Sequence, residues 1–133
     1  MKFNTQVCTT REQSERLLAL GLKKETADCF RWEYLNRWYV GQIDEDGITA
    51  NDIPSWSFDR MFAMISDAYT FVGTDGYKWD SSILVRGQIV KFVAFPVVVK
   101  TFNNDNLFDN LIDCIEWLIK ENHFNKQYLN ESL

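Results

Sequence analysis

LFDNLIDCIEWLIK, the segment from Leu107 to Lys120, has the clearest periodic pattern in the chain and decides how the fold is built. The apolar members of this segment are Leu107, Phe108, Leu111, Ile112, Ile115, Leu118 and Ile119. They recur every three or four positions, which is the spacing of a helix with one face in a hydrophobic core. Charged residues fall on the opposite face, where Glu116 and Lys120 are one turn apart, as a favourable ion pair requires. The segment therefore predicts a core-forming amphipathic helix.

The start of this helix is marked by polar residues. Asn103, Asn104 and Asp105 are N-cap candidates, because their side-chain oxygens can accept hydrogen bonds from the free amides of a first turn. An earlier and shorter helix is expected after Ser55 or Ser57, since either serine can cap a helix that runs to about Asp67. Both helices are therefore predicted with a capped amino end.

The first helix of the chain is predicted from a capping box. Thr9 and Thr10 each have a Glu or Gln three residues later, which is the spacing that satisfies two free amides reciprocally. Gly21 follows Leu20 and is suited to end the helix. We expect a helix of about three turns that is stabilised mainly by packing.

The remaining segments favour β-strands. In Cys29–Ile43, aromatic residues alternate with charged ones, which favours a hairpin, although Phe30, Tyr34 and Trp38 are also four apart, as in a helix. Further strands are predicted at 69–72, 77–85, 88–95 and 97–102, with an Asp75-Gly76 turn between the first two. The tail 124–133 is polar and is expected to fray. The expected fold class is α+β, with about three helices packed on an antiparallel sheet of four to six strands in a single domain, residues 1–133.

Composition narrows the class of protein. The longest apolar run, at 92–99, is too short to cross a bilayer, and the amino end MKFNTQVCTT lacks the apolar stretch of an export signal, so a cytoplasmic location without membrane contact is expected. The formal charge of −5 disfavours nucleic acid as a partner. Cys8, Cys29 and Cys114 are widely separated, which predicts three reduced, mostly buried thiols.

An acidic loop at 44–54 is the sharpest local motif. If Gly47 is aligned with the glycine of a calcium-binding EF-hand loop, Asp44 and Asp46 fall at ligand positions. The match fails at both ends, because Gln42 and Ile53 occupy positions that need acidic ligands. The loop therefore predicts at most weak cation binding through Asp44, Asp46 and Asp52.

Catalytic motifs are missing from the sequence. The single histidine, His123, follows the central helix and suits a role at its carbonyl-rich end better than that of a general base. There is no phosphate-binding glycine loop and no Cys/His spacing for zinc, so no cofactor is expected. A carboxylate-based hydrolase remains as a hypothesis. Its acidic residues would be Asp59, Asp67, Asp75 and Asp80.

Aromatic residues are the other candidate source of function. Trp and Tyr are favoured at the energetic centres of interfaces, but in small α+β domains most of them fill the core. We expect one or two to line a partner surface. The candidates are Trp38, Tyr39, Trp56 and Trp79.

Three blocks of the sequence resemble a known group of proteins. They are TTREQSERLLALGLKKETAD, IPSWSFDRMFAMI and DNLIDCIEWLIKENHFNKQYLN, which stand at both ends and in the middle of the chain. They are similar to small uncharacterised proteins encoded by Bacteroides genomes and their prophages or mobile elements. The resemblance implies a cytoplasmic accessory protein of such an element and brings no catalytic residues with it.

These observations lead to three hypotheses about function. The first is a non-enzymatic protein-interaction or regulatory module with a protein partner, of which an acidic mimic of DNA is a minor variant. The alternatives are a binder of a small ligand or weakly held cation, and the carboxylate-based hydrolase. A strand edge near Pro96 or the aromatic hairpin could pair across a two-fold axis, so both a monomer and a homodimer are compatible with the sequence.

Overall fold

The computed structural model of this chain describes residues 6–34, 37–42, 52–68, 71–72, 78–79, 81–94 and 97–131. They form an α+β domain with three α-helices, as predicted. The helices are α1 (Arg11–Ala19), α2 (Phe58–Ser66) and α3 (Leu107–Lys120). The strands are β1 (Cys29–Tyr34), β2 (Arg37–Gln42), β3 (Ile53–Ser55), β4 (Phe71–Val72), β5 (Lys78–Trp79), β6 (Ser81–Arg86), β7 (Ile89–Ala94) and β8 (Val97–Phe102). Two short 3-10 helices are formed by Lys24–Thr26 and Lys126–Tyr128.

α3 lies at the centre of the core. The predicted bounds and apolar stripe are confirmed, and Leu111, Ile112, Ile115 and Leu118 are fully buried. The predicted N-caps are wrong, however. The cap is Asn106, whose Oδ1 accepts a hydrogen bond from the amide of Asp109 at 3.0 Å, because only the residue directly before the first turn can reach that amide.

The sequence offers two cap candidates for each of the two shorter helices, and the structure uses Thr10 rather than Thr9 and Ser57 rather than Ser55. Thr10 and Gln13 form the predicted capping box of α1, and Gly21, with φ of +102°, follows the helix in the left-handed region. Ser57 caps α2, where its Oγ accepts a hydrogen bond from the amide of Arg60 at 3.1 Å. Local hydrogen bonding therefore fixes both of these helix starts.

The strands divide into separate sheets, which corrects the prediction of one larger sheet. One three-stranded antiparallel sheet has the order β2-β1-β3 and another has the order β6-β7-β8, while β4 and β5 form a two-stranded sheet among the described residues. The predicted hairpin at 29–43 is confirmed and its helical alternative is wrong, since β1 and β2 pair antiparallel along their whole length. The division has a physical basis, because β3 packs near α1 while β7 and β8 pack against α3.

Residues 124–131, the described part of the tail that was expected to fray, contact the first helix region. Phe124 is buried in the core, and the amide of Lys23 donates to the carbonyl of Tyr128 at 2.9 Å. The amide of Asn130 donates to the carbonyl of Gly21 at 2.7 Å. A buried aromatic ring and these backbone bonds offset the entropy cost of ordering a polar segment.

The helices in the described part of the chain were compared with the length and apolar character that a bilayer span requires. None of them meets both requirements.

An ion-pair cluster links α1 to α3. The guanidinium of Arg16 contacts the carboxylates of Asp113 and Glu116, and Lys120 contacts Glu116 at 2.9 Å from the following turn. Hydrogen bonds from Arg16, and then from Lys120, hold the pKa of Glu116 below its usual value. The predicted pair of Glu116 and Lys120 is confirmed and forms part of a larger network.

Replacing Glu116 by glutamine is expected to lower the free energy of unfolding by about 0.5–1 kcal/mol at neutral pH and low salt. Because the folded-state pKa of Glu116 is depressed, the carboxylate stabilises the fold above its unfolded-state pKa. That contribution is lost as pH falls through the folded-state pKa. Urea unfolding measures the difference in free energy of unfolding between the wild-type protein and Glu116→Gln. This difference should be smaller at the most acidic pH at which the protein stays folded than at neutral pH. Glu131→Gln, at an exposed position, is the control, and a difference that persists in acid contradicts the ion-pair origin.

Candidate partner-binding surface

Three aromatic side chains stack on one face of the β1–β2 hairpin. Phe30 and Trp32 are two residues apart on β1 and so point to the same face. Trp32 is directly opposite Tyr39, and Phe30 is directly opposite Gly41. Ring centroids are 5.1 Å apart between Phe30 and Trp32, and 5.5 Å apart between Trp32 and Tyr39. We call Phe30, Trp32, Tyr39 and Gly41 the aromatic face.

Gly41 allows the rings to lie against the backbone of β2. A Cβ atom at this position would be 3.0 Å from Cζ of Phe30 and 3.1 Å from Cζ3 of Trp32. Both distances are shorter than an ordinary carbon–carbon contact, so an alanine would force the two rings to shift. The absence of a side chain at Gly41 therefore sets where the rings of the aromatic face rest.

The aromatic face is accessible from solvent. Tyr39 is 39% exposed, and Phe30 and Trp32 are partly exposed. On the other side of the strand, Val40 is 38% exposed. In the part of the chain that the structure describes, β2 is an edge strand of its sheet. An accessible aromatic stack beside a strand edge places apolar contact area next to the backbone amides and carbonyls of an edge strand.

Arg31 anchors the opposite side of β1 to the segment before α1. Its guanidinium donates hydrogen bonds to the carbonyl oxygens of Thr9 and Cys8. Thr9 is itself buried and held by the hydroxyls of Ser14 and Ser55, at 2.8 and 3.1 Å. The aromatic face is thus presented on a strand whose other side is fixed by a polar network.

The structure places the predicted partner-binding residues in different environments. Tyr39 belongs to the aromatic face, whereas Trp56 is fully buried, and its inclusion as a surface candidate is wrong. Trp56 lies between β3 and α2, where its indole Nε1 donates to Oγ1 of Thr26 at 2.9 Å. The backbones of Trp38 and Trp79 lie in β2 and β5, but their side chains are outside the described residues. Trp56 is buried and Tyr39 is exposed, a difference that residue type alone does not determine.

The acidic loop is largely outside the described part of the chain. Asp44 and Asp46 are not described, and Asp52 is the residue before β3. Within the described ranges, no three His, Cys, Asp or Glu side chains are placed to hold a metal ion together. Cation binding through Asp44, Asp46 and Asp52 stays a prediction.

The carboxylates proposed for hydrolysis are not assembled where the structure describes them. Asp59 and Asp67 are eight positions apart along α2 and its C-cap, which separates them by about 12 Å along the helix axis. Oδ2 of Asp67 accepts hydrogen bonds from the hydroxyl of Tyr128 and from the side-chain Nδ2 of Asn125, both at 2.8 Å. Burial, followed by the bond to Asp67, raises the pKa of Tyr128. Asp75 and Asp80 lie outside the described residues.

Sequence reasoning missed Phe30, Trp32 and Gly41 as members of a surface. The signal was present in part, because Phe30 and Trp32 alternate with charged residues and therefore share a face. The position of Gly41 opposite Phe30 depends on the register between β1 and β2, which the sequence pattern alone does not fix. The strand was therefore predictable, but its aromatic face was not.

Comparison with known proteins gives no relative for this chain. No protein-family model matches it, and neither the curated proteins nor the solved structures contain a match. The functional argument consequently rests on the geometry of the surface.

Proposed function

We propose that this protein is a non-enzymatic interaction module that docks a protein partner on the aromatic face. The observation that carries the proposal is the stack of Phe30, Trp32 and Tyr39, which is partly exposed and stands on a strand anchored from behind. Aromatic side chains give a large contact area for little loss of conformational entropy, which is why they dominate binding energy at interfaces. The sequence resemblance supports a role as an accessory protein of a phage or mobile element.

The geometry favours a partner that contributes an apolar group and an extended backbone. The rings offer a surface against which an apolar side chain loses water, and β2 offers edge amides and carbonyls beside them. This combination supports contact with a protein rather than turnover of a small substrate.

Affinity capture from a Bacteroides lysate, followed by measurement of the dissociation constant with the purified partner, tests the proposal. One stoichiometric partner is expected for the wild-type protein, with Tyr39→Ala weakening its affinity at least about tenfold. Gly41→Ala should weaken it as well, because the rings must shift. Leu84→Ala is the matched control, since Leu84 is 56% exposed on the other sheet and should leave affinity unchanged.

Stability measurements distinguish the loss of a contact with the partner from unfolding of the variant itself. The melting temperature of Tyr39→Ala should stay close to that of the wild-type protein, because the removed ring is already partly in water. Equal partner affinity for wild type, Tyr39→Ala and Gly41→Ala would show that the partner docks elsewhere. Saturable turnover of a substrate by the purified protein, abolished by a carboxylate substitution, would replace the interaction module with an enzyme.

A further inference from the structure

Two of the three cysteines meet inside the domain although 21 positions separate them in sequence. Sγ of Cys8 and Sγ of Cys29 are 2.8 Å apart, and both residues are buried, at 0% and 5% exposure. Cys8 belongs to the segment before α1 and bridges to Ser57, while Cys29 begins β1 and is paired with Ser55. The fold thus brings two thiols from distant segments into direct contact.

The contact is close to the geometry of a covalent bond. A disulfide has a sulfur–sulfur distance of about 2.05 Å, so the two sulfurs need to approach by roughly 0.8 Å. Hydrogen bonds hold the backbone on both sides, since Arg31 binds the carbonyl of Cys8, and Cys29 is paired with Gln42 of β2 and Ser55 of β3. Little further ordering of the chain is needed to join them.

We propose that Cys8 and Cys29 form an oxidisable pair, which a low-molecular-weight disulfide converts into an intramolecular disulfide. This inference concerns a covalent modification site and is independent of the proposed function. Cys114 is the third buried free thiol and belongs to α3, and burial raises its pKa to about 12. It is not part of the pair.

The reaction is a balanced exchange in two steps. One protein thiol loses its proton and its sulfur attacks the small disulfide, so that a protein–small-molecule sulfur bond forms and one small thiolate leaves and takes up a proton. The second protein thiol then loses its proton and attacks the protein sulfur of that mixed disulfide, releasing a second small thiol. The two cysteines are oxidised by two electrons, and the small disulfide is reduced to two thiols.

Burial controls the rate of this reaction. Loss of water, and then the contact with Cys8, raises the pKa of Cys29, which keeps its thiol protonated at neutral pH. Because the thiolate is the nucleophile, the pair should react slowly in the closed fold and faster as pH rises. Transient opening of the segment 6–9, in which Val7 is already 68% exposed, gives the small disulfide access to both sulfurs together.

Oxidised glutathione is the probe that tests this pair. The folded, dilute protein is incubated with it, quenched in acid, unfolded, alkylated at free thiols and weighed intact. Reduced protein should gain three alkyl groups, one for each cysteine, and oxidised protein should gain one. Peptide mapping should then find Cys8 joined to Cys29, and the melting temperature should rise by roughly 10 °C through closure of the intervening loop.

Substitutions identify the participating thiols. Cys8→Ser and Cys29→Ser should each abolish the internal disulfide, whereas Cys114→Ser should keep it and show the same rise in melting temperature. Peptide mapping of the wild-type protein tests the bond between Cys8 and Cys29 even if a serine variant fails to fold. A stable glutathione adduct without the internal bond, a link that uses Cys114, or three free thiols after full exposure to the oxidant would each overturn the proposal.

Discussion

Replacing Trp56 by alanine is expected to lower the free energy of unfolding by about 3–5 kcal/mol, the largest effect of any aromatic substitution in the described chain. Trp56 is fully buried, so the change removes a whole indole from the core and leaves a cavity. It also removes the donor to Oγ1 of Thr26, which is itself buried. Such a loss is a large fraction of the total stability of an ordinary domain.

Chemical unfolding of Trp56→Ala, Trp56→Phe and Tyr39→Ala separates the contribution of the buried ring from those of its hydrogen bond and of an exposed ring. Trp56→Phe keeps most of the apolar volume and loses the hydrogen bond to Thr26, for an expected cost of about 1–2 kcal/mol. Tyr39→Ala should cost less than about 1 kcal/mol, because Tyr39 is partly exposed. Equal destabilisation by Trp56→Ala and Tyr39→Ala would contradict the assignment of one ring to the core and the other to the surface.

Asn110→Asp is expected to destabilise the protein by about 3 kcal/mol or more at neutral pH. The Asn110 side chain is fully buried on α3. Its Nδ2 donates to the carbonyls of Gln88 and Asn104 at 2.6 and 3.1 Å, and its Oδ1 accepts from the amide of Asn104 at 2.6 Å. A carboxylate there would lose both donated bonds and place negative charge against two carbonyl oxygens.

The effect of Asn110→Asp should depend on pH in a defined direction. The buried acid favours its neutral form, so its folded-state pKa is raised and the variant regains stability as pH falls. Unfolding curves at neutral and mildly acidic pH measure this, with Asn103→Asp at an exposed position as the control. Hydrogen exchange at the amide of Asn104 should accelerate in Asn110→Asp. A pH-independent loss equal to that of the control would contradict the buried-network interpretation.

Local patterns in the sequence determine much of this fold. The bounds of α3 were predictable, and the caps of α1 and α2 were predictable to within two candidates each, because helix periodicity and capping depend on residues within one turn. The cap at Asn106 was missed because it stands directly beside Asn103, Asn104 and Asp105. Pattern alone does not show which member of such a run precedes the first turn.

Features that depend on distant contacts were not predictable. The separation into distinct sheets and the burial of Phe124 depend on tertiary packing and not on local sequence pattern. The same holds for the aromatic face, of which only Tyr39 was among the predicted surface residues. Trp56 and Tyr39 show the limit most clearly, since residue type suggested the same role for both and tertiary packing separated them.

The segment Phe124–Asn130 has a consequence for the timing of biosynthesis. Its backbone bonds to Gly21 and Lys23, and its bridge from Leu129 to Leu22, close the domain beside α1. The ribosome makes these partners more than one hundred residues apart, so α1 emerges long before the segment that completes its packing. Folding of the first helix region to its final state must therefore wait until nearly all of the described chain has left the ribosomal tunnel.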